Sequence, residues 1–103
     1  MIFETGDVPV FSFVWDDTNL AKHGVTFAQA ATVMLDPLAL TVFDEAHSET
    51  EERWFTLGQS SEGQLLAIAH TYHMLNANTA RIRLISAREA TRQERWQYEN
   101  EPR

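Results

Sequence analysis

Three groups of residues in this 103-residue chain combine side chains and spacings suited to chemistry. In the first, an alternating run, Arg81-Ile82-Arg83-Leu84-Ile85, leads directly into Ser86-Ala87-Arg88-Glu89. The pattern predicts a strand followed by a helix that Ser86 caps. Free N–H groups at a helix start, with the Arg83 and Arg88 guanidiniums beside them, would form a site for a phosphate or carboxylate. The structural alternative is a serine that only caps the helix and arginines that pair with Asp or Glu. The second group is Lys22-His23-Gly24. An imidazole titrates near neutral pH and can give or take a proton, and a flanking ammonium can hold phosphate. Its alternative is a helix end, with Gly24 as the left-handed terminator and positive charge complementing the last carbonyls. The third group is the remaining histidines. His70 and His73, three apart on an expected strand, point to opposite faces, which is wrong for one metal ion. His47, among Glu45, Glu49, Glu51 and Glu52, offers only a weak site for a hard cation. The chain has no cysteine, glycine-rich phosphate loop or serine nucleophile elbow, so neither a metal nor a cofactor is expected.

The elements that must position these residues follow from patterning. Val10 to Trp15 is β-branched and aromatic and predicts a strand; Asp16 to His23 predicts a helix ended by Gly24. Thr26-Phe27-Ala28-Gln29 is a capping-box pattern opening a second helix from Phe27 to about Leu35, which Asp36-Pro37 stops. Leu40 to Phe43 is a strand candidate, followed by an acidic turn from Asp44 to Glu52. Arg53 to Gly58 alternates, with Arg53, Phe55 and Leu57 on one face and Trp54 and Thr56 on the other. After the turn Gln59 to Gly63 comes a strand from Leu65 to about His73, then a turn at Asn76-Ala77-Asn78 and the Arg81 to Ile85 strand. The last helix is expected from Ser86 to about Asn100. The order βααββββα implies an α+β domain with a mostly antiparallel sheet, two N-terminal helices and one C-terminal helix.

Composition places the chain in one domain, residues 1–103, with residues 1–10 as an extension: 44% of its residues are hydrophobic and 22% charged. No apolar run is long enough to span a bilayer and no basic segment precedes an apolar one, so a soluble, cytoplasmic protein is expected. The net charge of −7 argues against phosphate binding until its distribution is considered. Residues 1–80 hold 11 acidic side chains against Lys22 and Arg53, whereas residues 81–103 hold six arginines against four glutamates. Trp15, Trp54 and Trp96, with six phenylalanines, are more suited to core or interface anchoring than to stacking on bases.

Several of these pieces recur together. Phe13-Val14-Trp15-Asp16-Asp17, Lys22-His23-Gly24-Val25-Thr26-Phe27, Asp36-Pro37, Glu52-Arg53, Leu57-Gly58 and Arg83-Leu84-Ile85-Ser86-Ala87-Arg88, through Ala90-Thr91, Glu94-Arg95 and Tyr98, resemble the BrnT (DUF497) family of toxins. The resemblance covers about residues 11–99. It implies a RelE-like fold and a metal-independent endoribonuclease that cleaves RNA and inhibits translation as the toxin of a type II toxin–antitoxin pair. It further implies a BrnA-like antitoxin with a ribbon-helix-helix domain, contact with operator DNA only through that antitoxin, and a dimer or heterotetramer. Carried onto matching positions, Lys22 and His23 are proton-transfer or phosphate candidates, Arg53, Arg83 and Arg88 are phosphate clamps, and Glu94 orients an arginine. Trp15 and Tyr98 are as readily structural as functional. Gln59 and Glu89 stand where relatives often carry a basic residue, which leaves a second expectation: a toxin-fold module that binds its antitoxin and co-represses without cleaving efficiently.

Overall fold

A computed structural model describes residues 10–15, 24–47 and 51–102. Among them are six strands, β1 (Val10–Trp15), β2 (Leu40–Phe43), β3 (Arg53–Gln59), β4 (Leu65–Thr71), β5 (His73–Asn76) and β6 (Thr79–Glu89), and two α-helices, α1 (Phe27–Thr32) and α2 (Arg92–Asn100). The strands form one sheet in the order β1-β6-β4-β3-β2, with β5 continuing along β6 beyond the end of β4. The α+β class therefore holds, but the sheet is mixed. β1 runs parallel to β6, pairing Val10 with Thr79 through Trp15 with Leu84, while the other pairings are antiparallel. The helix expected over residues 16–23, and with it Lys22 and His23, lies outside the described residues.

One face of the sheet is closed by α1 and the 3-10 turn Val33–Leu35 that extends it. Thr26 caps α1 as its sequence pattern requires. Its side-chain oxygen accepts from the Gln29 N–H at 3.0 Å, and the Gln29 side chain accepts from the Thr26 N–H at 3.0 Å. The helix buries Phe27, Ala30 and Val33 against Leu66, Ile68, Ile82, Leu84 and Ala87, with Phe11 and Phe13 packed alongside. Gly58 lets this layer approach β3, since a Cβ there would stand 2.7 Å from Val33 Cγ1 and 3.0 Å from Ala39 Cβ. On the opposite face a smaller cluster of Leu57, Leu65 and Ala67 is covered by Phe55, Leu40, Ala90 and Tyr98 of α2. The Tyr98 hydroxyl donates to Asp36 Oδ2 at 2.5 Å, tying α2 to the segment that follows α1.

Two expected boundaries are corrected. The strand expected from Leu65 to His73 is divided at Tyr72 into β4 and β5. The final helix does not start at Ser86: β6 runs on to Glu89, and the Ala90 N–H still donates to the Leu65 carbonyl at 2.9 Å. Ser86-Ala87-Arg88-Glu89 has the local form of a capping box, but Ala87 pairs with Ile68 and is buried beneath α1. Burial and ladder bonds outweigh the local preference. The box that is used is Thr91-Arg92-Gln93-Glu94, in which the Glu94 N–H donates to Thr91 Oγ1 and the Thr91 N–H to Glu94 Oε1.

Candidate active site

The sheet face that carries α2 also carries the arginines. Side chains alternate along a strand, so Arg81 and Arg83 project away from the buried Ile82 and Leu84. Arg88 is an odd number of positions beyond Arg83, and unbroken alternation would send it to the opposite face. A bulge prevents that. Ala69 pairs with Ser86 and His70 with Leu84, leaving Ile85 as the extra residue on β6. Beyond it Ala87 points to the α1 layer, while Ser86 and Arg88 point the same way as Arg83.

The register then gives rows across this face. Arg53 on β3 stands opposite Thr71 on β4, and the Thr71 hydroxyl accepts from the Arg83 N–H at 3.1 Å. In the next row Phe55 faces Ala69, which faces Ser86; beyond it Leu57 faces Ala67, which faces Arg88. Small side chains in the middle strand, flanked by long ones, leave a shallow trough over Ala69, while Ala67 is buried in the cluster that Phe55, Ala90 and Tyr98 cover. Arg53, Arg83 and Arg88 border it, each partly buried. Such a surface suits an extended polyanion. Hollows of about 250 Å³ beside Asp36, Gln59 and Ser60, and of about 230 Å³ between Thr41, Trp54, His70 and Tyr72, lie off this face.

The arginines are held in different ways. Arg88 meets Glu94 at two points, Nη1 to Oε1 at 2.8 Å and Nη2 to Oε2 at 3.0 Å, and its guanidinium carbon lies 5.9 Å from the centre of the Phe55 ring. The Arg88 bonds, with lesser help from the Thr91 N–H, hold the Glu94 carboxyl at about 2, and Glu94 in turn raises Arg88. Glu94 therefore pairs with Arg88 while also closing the helix cap. Arg83 instead meets Glu51 at one oxygen, with 42% and 45% of the two side chains exposed. Its backbone is fixed in the sheet, so the guanidinium has a rigid base and an exchangeable partner.

Ser86 lies in β6 facing the trough and caps no helix, so the anion site expected at a Ser86-led helix start is not formed. Tyr98 is structural through Asp36, and Trp15 packs on Phe27 with ring centroids 6.4 Å apart. Sequence reasoning weighed His70 and His73 only as a metal pair. The structure separates them as expected: His70 is buried on the α1 side, whereas His73 is exposed and pairs with Arg81. Alternation along the hairpin is the signal that places His73 beside Arg81 and Arg83.

The family model described as the ribonuclease toxin BrnT of type II toxin–antitoxin systems matches residues 15–94. That span holds every residue of the trough, together with Lys22, His23 and Glu94. Among solved structures, the chain is similar to the 1.1 Å crystal structure of the Brucella abortus ribonuclease toxin BrnT. Identity is 21% and the TM-score 0.54, and the match covers 81% of this chain and 99% of that one. No curated protein gave a match.

Proposed function

The chain belongs to the BrnT family of ribonuclease toxins of type II toxin–antitoxin systems, and from that premise we propose that it is a metal-independent endoribonuclease that cleaves cytoplasmic RNA and so inhibits translation. The observation that supports this most is the gathering of Arg53, Arg83 and Arg88 around one trough by a register that needs a bulge to do it. RNA cleavage without metal requires a base for the 2′-OH proton, cations for the charge that builds on the phosphate, and an acid for the leaving 5′ oxygen. The arginines supply the second need. Arg83 takes the scissile phosphate in exchange for Glu51, and Arg53 stands across Thr71 from it. Arg88, oriented by Glu94, holds a neighbouring phosphate. Lys22 and His23 complete the proposed site as proton-transfer or phosphate-binding groups. The whole chain acts as one RelE-like domain.

The partner proposed is a BrnA-like antitoxin with a ribbon-helix-helix domain, through which a dimeric or heterotetrameric complex reaches operator DNA. Its toxin-binding segment is acidic, matching the carboxylates that Glu51 and Glu94 already place on Arg83 and Arg88. That same occupancy favours a second reading, in which the chain binds its antitoxin without cleaving efficiently. One experiment separates the readings. Purified protein incubated with RNA in EDTA is expected to yield fragments ending in 2′,3′-cyclic phosphate. Cleavage that EDTA abolishes and Mg²⁺ restores overturns the metal-independent mechanism, and intact RNA under both conditions favours the binding module.

A further inference from the structure

We propose that His73 is a catalytic residue that accepts the 2′-OH proton at the arginine trough. The inference rests on the RNA-cleavage reading above and adds a group to it. β4 and β5 continue in one register along β6: His70 pairs with Leu84 and His73 with Arg81. His73 therefore projects from the same face as Arg81 and Arg83. It stands one row beyond the line of Arg53, Thr71 and Arg83, two residues or about 7 Å along the strand. That is within reach of a ribose attached to a phosphate held on Arg83, given the length of the side chains involved.

The His70 imidazole is unsuited to the task. His70 is only 2% exposed and faces the α1 layer. Its Nε2 lies 2.7 Å from Thr56 Oγ1 and its Nδ1 2.9 Å from the Thr71 carbonyl, so both ring nitrogens are engaged. His73 is exposed on the face where substrate charge would be neutralised. An imidazole is the side chain whose proton exchange matches neutral pH, so it can be both a competent base and a ready proton carrier. Arg81 stands directly opposite on β6 and offers a guanidinium to a phosphate beside the ring.

In the proposed step the neutral His73 ring takes the proton from the ribose 2′-OH. The O2′ electron pair forms a bond to phosphorus, and the P–O5′ bond breaks. O5′ leaves with its electron pair and takes a proton from water, and the His73 ring returns its proton to solvent. The products are a 2′,3′-cyclic phosphate and a 5′-hydroxyl, and no oxidant or reductant enters.

The test compares the full chain with His73→Gln and His73→Ala, using a short RNA and its 2′-deoxy analogue. Cleavage is expected to fall by on the order of a hundredfold or more in both variants. Affinity for the uncleavable analogue and the urea midpoint should stay at parental values. The acid limb of the parental pH–rate profile should vanish in the glutamine variant, and added imidazole should restore part of the rate to the alanine variant. A glutamine variant that cleaves at the parental rate with the parental pH profile overturns the assignment while leaving the ribonuclease reading intact. A parent that cleaves no RNA removes the reading and the assignment together.

Discussion

Arg83 and Arg88 carry the same side chain on the same strand, yet their surroundings predict opposite costs on truncation. The Arg83 pair with Glu51 is a single contact between two substantially exposed groups, a class of ion pair that contributes little. Arg83→Ala should therefore move the urea midpoint by less than roughly 0.5 kcal/mol would. Arg88 is itself 41% exposed, but it is bonded twice to a carboxylate of which only 20% is exposed and lies near the Phe55 ring, so Arg88→Ala should cost about 1–2 kcal/mol. The linkage has a definite sign. Glu94 is lowered from 4.5 to about 2 in the folded chain. Its contribution is thus present above 4.5 and lost as pH falls from there toward 2, and Arg88→Ala should flatten that acid limb. Both variants are expected to lose RNA cleavage, and only for Arg88→Ala should part of the loss follow unfolding. Equal midpoints in the two variants would show that the Glu94 pair contributes nothing to folding.

Strands and their register decide which of these side chains meet, and much of that was legible in the residues. The alternation of Arg53, Phe55 and Leu57 against Trp54 and Thr56 is observed, as is the capping box at Thr26 and the turn at Gln59 to Gly63. Two features were not legible. The bulge at Ile85 has no glycine or other local mark, because it arises from how β4 must pair with β6. The end of β6 was hidden by two successive capping patterns, Ser86 to Glu89 and Thr91 to Glu94, between which only the burial of Ala87 decides. The other face holds a polar line that crosses three strands: Thr41 Oγ1 lies 2.9 Å from Thr56 Oγ1, which lies 2.7 Å from His70 Nε2. The Thr71 carbonyl can only accept, so His70 Nδ1 carries the hydrogen and Nε2 of the neutral ring accepts from Thr56. Burial lowers His70 from 6.5, against a smaller opposing effect of the Thr71 carbonyl. The unfolded chain then takes up a proton that the folded chain refuses. Stability should be full above 6.5 and decline as pH falls below it. A urea midpoint that drops between about pH 7.5 and about pH 5.5 is expected, with His70→Gln lower throughout and flat over that range. A flat parental profile would contradict the neutral, buried ring.

At the scale of the whole molecule, a chain of net charge −7 is asked to bind a polyanion on one arginine-lined face. Screening alone does not separate overall repulsion from the exposed ion pairs, because both weaken with salt on the same length scale; they differ in where they act. About three phosphate contacts to a single strand predict a slope of about −2 for log affinity against log salt, shallower by about 0.7 for each of Arg53, Arg83 and Arg88 changed to Ala. Glu51 is the informative carboxylate. It sits on Arg83, so a phosphate must displace it, whereas Glu62 accepts from Gln29 at 2.5 Å in the turn between β3 and β4, beside the α1 layer. Both changes to Gln alter net charge equally. Glu51→Gln should tighten binding of an uncleavable oligonucleotide about three- to fivefold at low salt, an advantage that Arg83→Ala removes, while Glu62→Gln should leave affinity close to parental. Fluorescence anisotropy over a salt series measures all of these slopes and affinities. Equal tightening by the two glutamine variants would mean that RNA senses only the total charge of the molecule, and that Arg83 does not exchange Glu51 for phosphate.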